Sequence, residues 1–326
     1  MSSTRNDFDP SAYHPTFEWH FLAPKYWGTW FILLLLVPIA LLPVRFRYWV
    51  STKVVRKLIK QRKSTTHTAW VNLEMCFPEK SEQEREEILF QTLVTAGVFL
   101  TGFSLVTLRN KKWLEKQCDL RGVEHIHQVI EQGHNVILLA PHTWAIDIPA
   151  VLLASRNLPV AGMAKKQSNE VIDWLMHRQR VQYGGRVYER SGGIKPFIKA
   201  IRDGYLGYYL PDQDHGREQS IFVDFFAATK ATLPGLGKLA KVSKAVIIPI
   251  YAMIDAKTGR YIVNIYPQLA PFPTGSEEQD ARAMNAFIEE QATMYPEQYM
   301  WILKLLRTQP DGKNYYKLAK QKMSSK

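Results

Sequence analysis

From about residue 119 onward, short apolar runs alternate with amphipathic stretches, and this alternation constrains the fold more than any other feature of the chain. Runs at 136–140, 160–164, 206–210, 246–252 and 261–266 have the length and composition of buried strands. Stretches at 123–132, 147–156, 170–183, 194–203, 233–242 and 277–295 read as helices. Strand followed by helix, repeated, predicts an α/β fold: a mixed, largely parallel sheet covered by helices. This core is expected over residues 119–307.

Ahead of the core lies a second constraint. Residues 27–43 read WGTWFILLLLVPIALLP, and no charge occurs from Tyr26 through Val44. A span needs ~17–25 apolar residues, so 27–44 is expected to be a transmembrane or membrane-embedded anchoring helix. Pro38 inside it allows a kink or a re-entrant arrangement. Trp27, Trp30, Tyr48 and Trp49 flank it as an aromatic belt would. Eight basic residues follow between Arg45 and Lys63 with no acid among them, whereas residues 1–26 carry Arg5 and Lys25 against Asp7, Asp9 and Glu18. That asymmetry puts the body of the protein on the cytoplasmic side. Residues 45–118 form a basic juxtamembrane and helical region, with Ser81 and Glu84 spaced as a capping box. Residues 308–326 read as a basic, loosely ordered, solvated tail.

The formal net charge of +12 favours anionic partners: a lipid head group, a phosphorylated substrate, an acidic protein or nucleic acid. The two cysteines make neither a disulfide framework nor a four-cysteine metal site. No HExxH and no GxSxG occurs, so neither a metal, a cofactor nor a serine nucleophile is expected.

Chemistry in open α/β sheets gathers outside the carboxyl ends of the strands. The run VILLA at 136–140 ends at Pro141, and His142 is the next residue. Asp147 follows five residues later. On one continuous helix the two would lie about 140° apart. They can meet if His142 stays in the loop and Asp147 opens the next helix. A carboxylate that orients a histidine makes a general base.

The segment His142–Asp147 resembles the His-x4-Asp motif of the glycerolipid acyltransferase superfamily. VYER at 187–190, PDQD at 211–214 and IPI at 248–250 resemble its later blocks in order. HTWAIDIPA at 142–150, GIKPFI at 193–198, YYLPDQDHG at 208–216, FVDFF at 222–226, KATLPG at 230–235 and PEQYMWILKLL at 296–306 narrow the resemblance. They resemble the late acyltransferases of bacterial lipid A biosynthesis, and within them the myristoyltransferase type. The match runs over roughly residues 20–310.

This resemblance implies a glycerolipid acyltransferase-like fold and transfer of a myristoyl or lauroyl group from acyl-acyl carrier protein. The acceptor it implies is a hydroxyacyl chain of the anionic, Kdo-bearing lipid A precursor, at the cytoplasmic face of the inner membrane, with no nucleic acid partner. His142 is then the base and Asp147 its orienting partner. Arg180, Arg186 and Arg190 are candidates for phosphate and head-group contacts, because guanidinium grips phosphate in a bidentate fork. Asp212 and Asp214 are expected on the same rim with the arginines as their cation partners, and Lys230 beside them. Residues 296–306 could line an acyl tunnel or simply fill the core. A glycerophosphate or lysophospholipid acyltransferase is the alternative reading. A non-catalytic, membrane-tethered basic binding protein is a remote one.

Overall fold

The structure is a computed structural model that describes residues 8–61, 63 and 65–324. Helices α1 (Trp27–Leu41), α2 (Val44–Leu58), α3 (Thr65–Cys76), α4 (Glu82–Gly102), α5 (Ser104–Leu108) and α6 (Lys111–Gln117) come first. Strand β1 (Cys118–Arg121), α7 (Val123–Glu131), β2 (Asn135–Leu139), α8 (Ile148–Ser155), β3 (Val160–Ala164), α9 (Glu170–Arg180) and β4 (Arg186–Glu189) follow. The chain continues through α10 (Lys195–Arg202), β5 (Leu206–Tyr209), β6 (Ile221–Phe225), β7 (Ala228–Thr232) and α11 (Leu236–Ser243). It ends with β8 (Ala245–Ile254), β9 (Tyr261–Ile265), α12 (Glu277–Met294) and α13 (Tyr315–Ser324).

Seven strands form one sheet in the order β1-β9-β8-β2-β5-β3-β4. Every neighbouring pair is parallel except β8 and β9. The expected mixed, largely parallel sheet is therefore present, with helices on both faces. Strand β2 shows why. Its Val136 and Leu138 face one buried cluster, with Ile148 and Leu152 of α8 and Ile126 of α7. Its Ile137 and Leu139 face another, with Phe197 and Ile201 of α10 and Leu236 of α11. Successive side chains of a strand point to opposite faces, so a strand apolar throughout must be covered twice.

The capping box at Ser81 is formed: the Glu84 N–H donates to the serine hydroxyl (3.2 Å) and the Ser81 N–H to the glutamate (2.8 Å). Helix α2 packs on α4 where glycines allow close approach. A Cβ on Gly97 would lie 2.7 Å from Ser51 Oγ, and one on Gly102 would lie 2.5 Å from Arg47 Nη1.

Four strands, β1, β4, β6 and β7, lie outside the runs expected from sequence. Each has four or five residues, and polar or charged side chains break its apolar run. β6 and β7 pair as an antiparallel hairpin apart from the main sheet. The basic tail also departs from expectation. It forms α13, and Tyr316 is buried, donating its hydroxyl to Asn72 Oδ1 (2.6 Å) on α3. Burial of the Tyr316 ring outweighs the lysines around it. Residues 296–306 belong to the core: Tyr299, Trp301, Leu305 and Leu306 are fully buried.

Candidate active site

Strands β2 and β5 are parallel neighbours with Leu139 paired to Tyr209. Three residues beyond each pairing partner stand His142 and Asp212. Both strands end in an apolar-proline-polar sequence, Ala140-Pro141-His142 and Leu210-Pro211-Asp212. Proline has no N–H to continue a ladder, so both chains leave the sheet at the same level. The register thus sets the imidazole beside the carboxylate.

The Asp212 carboxylate takes two hydrogen bonds from His142. Its Oδ2 accepts the backbone N–H (2.7 Å) and its Oδ1 accepts from ring Nδ1. Asp212 is fully buried and His142 nearly so. Burial alone would raise the aspartate. The His142 ring, when it is protonated, its hydrogen bonds and the charge of Lys230 overcome that and push it down to about 2. An ionised carboxylate can only accept, so Nδ1 carries the proton and Nε2 is left as the basic nitrogen. Nε2 lies 3.4 Å from the Gln213 side-chain amide.

The loop bearing His142 is pinned from two sides. The Met300 N–H donates to the His142 carbonyl (2.9 Å) and the Trp144 N–H to the Gln298 carbonyl (3.1 Å). From β5, the Tyr208 hydroxyl donates to the Ile146 carbonyl (2.7 Å). The histidine is therefore fixed in position before any ligand arrives, which is the condition for low reorganisation cost.

Asp147 departs from the role expected of it. It stands immediately before α8, but its side chain makes no capping bond there. Its two oxygens accept from Arg180 Nε (2.9 Å) and Nη2 (3.3 Å) at the end of α9. The partner of His142 is Asp212, supplied by strand register, and the partner of Asp147 is Arg180, whose planar fork matches a carboxylate. Arg180 is correspondingly committed and is not a free phosphate ligand.

A cavity of about 320 Å³ opens at the carboxyl ends of β2, β5, β3 and β4. His142, Asp147, Arg180, Arg186, Arg190 and Gln213 all reach it, with apolar walls from Ile146, Ala150, Val160 and Leu210. Arg186 enters because Gly185 holds a positive φ of 103° with no room for a Cβ, which would lie 2.6 Å from the Val160 carbonyl oxygen. Arg186 is itself buried, paired with Asp9 (3.2 Å) and stacked 4.3 Å from the Tyr205 ring centroid. Arg190 and Lys165 are exposed at the mouth, and neither has an ion-pair partner among the described residues. Of the predicted cations, Arg190 is the one available to a phosphate.

Two further expectations are corrected. Asp214 does not face the arginines of the cavity. It accepts from the Thr308 N–H (2.6 Å), the Thr308 hydroxyl (2.8 Å) and the Gly216 N–H (2.9 Å), so it fastens the loop after β5 to the C-terminal chain. Lys230 on β7 is fully buried, with its Nζ 4.8 Å from the Phe225 centroid and without a hydrogen-bond partner among the described residues. It acts on the site through its charge. Burial pulls its ammonium below the ordinary value, and Asp212 and Asp214 oppose that. Lys230→Met should raise the Asp212 carboxyl toward its ordinary range. The stability that the depressed Asp212 carboxyl contributes should then be lost at a higher pH on acidification, which acid-unfolding curves of the two proteins would check.

Sequence reasoning missed Gln213, Lys165 and Tyr208. It also missed the pairing of His142 with Asp212, for which the repeated proline punctuation was the available signal.

The family model of the bacterial lipid A biosynthesis acyltransferase matches residues 14–308. The chain is 42% identical over 305 residues to a lipid A biosynthesis acyltransferase of Haemophilus influenzae, covering 94% of this chain and 95% of that one. It is 41% identical over 312 residues to the lipid A biosynthesis myristoyltransferase of Escherichia coli, covering 96% of each. Identity to the lauroyltransferase of the same organism is 30% over 304 residues, covering 91% of this chain and 97% of that one. A match of this extent makes the chain an acyltransferase belonging to the bacterial lipid A biosynthesis acyltransferase family, on the side of its myristoyltransferase type.

Proposed function

We propose that this enzyme transfers a fatty acyl group, myristoyl or lauroyl, from an acyl-acyl carrier protein thioester to a hydroxyl on a hydroxyacyl chain of the Kdo-bearing lipid A precursor. The reaction takes place at the cytoplasmic face of the inner membrane. The observation that carries the reading is the His142–Asp212 pair at the floor of a cavity whose mouth presents Arg190 and Lys165.

In this reading the acceptor hydroxyl sits at His142 Nε2 and gives up its proton as its oxygen attacks the thioester carbonyl. Asp212 stabilises the imidazolium that forms. The tetrahedral intermediate collapses with loss of the carrier thiolate, which takes the proton back from Nε2. Ester and thiol are the products, and no covalent enzyme intermediate is needed because the thioester is already activated. The Gln213 amide, 3.4 Å from Nε2, is the side-chain donor we assign to the developing oxyanion. Arg190 and Lys165 hold the phosphate of the acceptor at the rim, and the apolar wall from Ile146 to Leu210 receives an acyl chain.

The test is an assay with purified enzyme, acyl-acyl carrier protein and the phosphorylated glycolipid, with products identified by mass spectrometry. A mass increase of one acyl group on the glycolipid is expected. Arg190→Ala should raise the acceptor KM about tenfold, in line with loss of one charge-assisted contact of about 1.5 kcal/mol, with kcat little changed. Acylation of lysophosphatidate in place of the glycolipid would overturn the acceptor assignment.

A further inference from the structure

We infer that the apolar helix α1 does not cross the bilayer but lies within one leaflet, with α2 beside it in the head-group plane, so that both chain segments flanking α1 are on the same membrane face. The inference rests on the membrane association proposed above and is independent of the acyl-transfer reading.

The first observation is where the flanks of α1 go. Before α1, residues 9–26 are fastened to the catalytic body at successive points. Asp9 pairs with Arg186 (3.2 Å) and accepts from the Tyr188 hydroxyl (2.8 Å). The Tyr13 N–H donates to the Val187 carbonyl (2.7 Å) and its hydroxyl to Asp173. His20 and Tyr26 both meet Glu170 at the start of α9. Within α1, the Thr29 hydroxyl accepts from Asn169 (2.7 Å). After α1, helix α2 packs against α4 through Arg47, Ser51 and Val55, all buried.

A helix that spans a bilayer delivers its two flanks to faces separated by ~30 Å of hydrocarbon. Here both flanks touch one folded body, and the upstream flank touches residues of the cavity wall itself. Those contacts favour an arrangement in which both flanks stay on one side of the bilayer over one in which α1 carries the chain across it.

The second observation is what α1 and α2 leave uncovered. On α1, Trp27, Phe31, Ile32, Leu34 and Leu35 are exposed, while Trp30 and Leu33 pack beside Phe21 and Trp174. Helix α1 thus buries one side on protein and offers the other to an apolar phase. On α2, Phe46, Trp49, Val50 and Val54 are exposed on the side away from α4, interleaved with exposed Arg45, Lys53, Arg56 and Lys57. Aromatic rings among cations, with no acid on the helix, fit an anionic lipid surface, where lysine stems lie along the acyl boundary and their ammonium groups meet phosphate. The occupant of this face is therefore the lipid surface. Because the upstream flank is tied to β4 and α9, which wall the cavity, the same geometry holds the cavity at the lipid surface that delivers the acceptor.

The test is sided labelling of the full chain. Cys76 and Cys118 are buried, so the native background is low. Thr16→Cys upstream of α1 and Lys257→Cys on the body are both exposed positions. A membrane-impermeant maleimide is applied to right-side-out and to inside-out membrane vesicles. Both variants should label from one and the same face and lose labelling from the other. Failure of Thr16→Cys to label from the face that labels Lys257→Cys overturns the inference. A fluorophore attached through Trp49→Cys should be quenched by lipids brominated near the head group; no quenching overturns the placement of α2. Recovery of the protein in the soluble fraction would overturn membrane association and this inference with it, whereas opposite-face labelling in membranes overturns only the inference.

Discussion

Asp212→Asn should lower kcat about 10³–10⁴-fold with the fold intact. The carboxylate now accepts from both the His142 backbone N–H and ring Nδ1. Asparagine keeps one acceptor oxygen, which the backbone N–H can hold. The amide NH₂ then faces Nδ1, and a donor there favours the tautomer with the proton on Nε2. The nitrogen at the cavity becomes a donor, and the base is lost without loss of the side chain's volume. His142→Ala removes the base directly and should cost a similar factor. The double variant should be little worse than either single one, because the two residues act as a unit. Turnover at saturating donor, with thermal melting to confirm folding, measures this. A loss of less than tenfold in Asp212→Asn would remove Asp212 from the role of orienting partner.

The strand that delivers His142 is legible in the sequence, because an apolar run ended by proline has few structural alternatives. Its partner is not legible in the same way. Asp147 is near in sequence, but nearness along a loop says little about reach across it. Asp212 is 70 residues away and is brought in by the register of β2 on β5, which no local pattern specifies. The shared proline punctuation only hints at it. Lys230 illustrates a second limit. A cation beside a ligand-binding motif reads as a ligand contact, and only the hairpin of β6 and β7 puts it inside the core. The anchor illustrates a third. Charge asymmetry around residues 27–44 assigns a side to each flank on the assumption of a crossing. The contacts of residues 9–26 with the body are tertiary, and hydropathy carries no information about them.

The second large effect is expected at the pair the sequence assigned differently. Arg180→Ala should destabilise the protein by about 3 kcal/mol. The Asp147 carboxylate is 18% exposed and the Arg180 side chain 24%, so removing the guanidinium strands a charge with little access to water. The cost is mostly that of the unpaired carboxylate and not the strength of the pair itself. Replacing both partners, Asp147→Leu with Arg180→Met, takes the stranded charge away and should recover most of the stability. Activity is the discriminating readout. The pair forms the cavity wall beside His142 and joins the start of α8 to the end of α9. If it serves only to join those helices, the double variant recovers turnover together with its melting temperature. If its charges also position the acceptor, stability returns and turnover does not. We expect the second outcome, with kcat/KM of the double variant at least about a hundredfold below that of the parent, a loss of about 2.7 kcal/mol in transition-state stabilisation. Recovery of both quantities would reduce Asp147 and Arg180 to a structural brace and leave His142, Asp212 and Gln213 as the whole of the catalytic machinery.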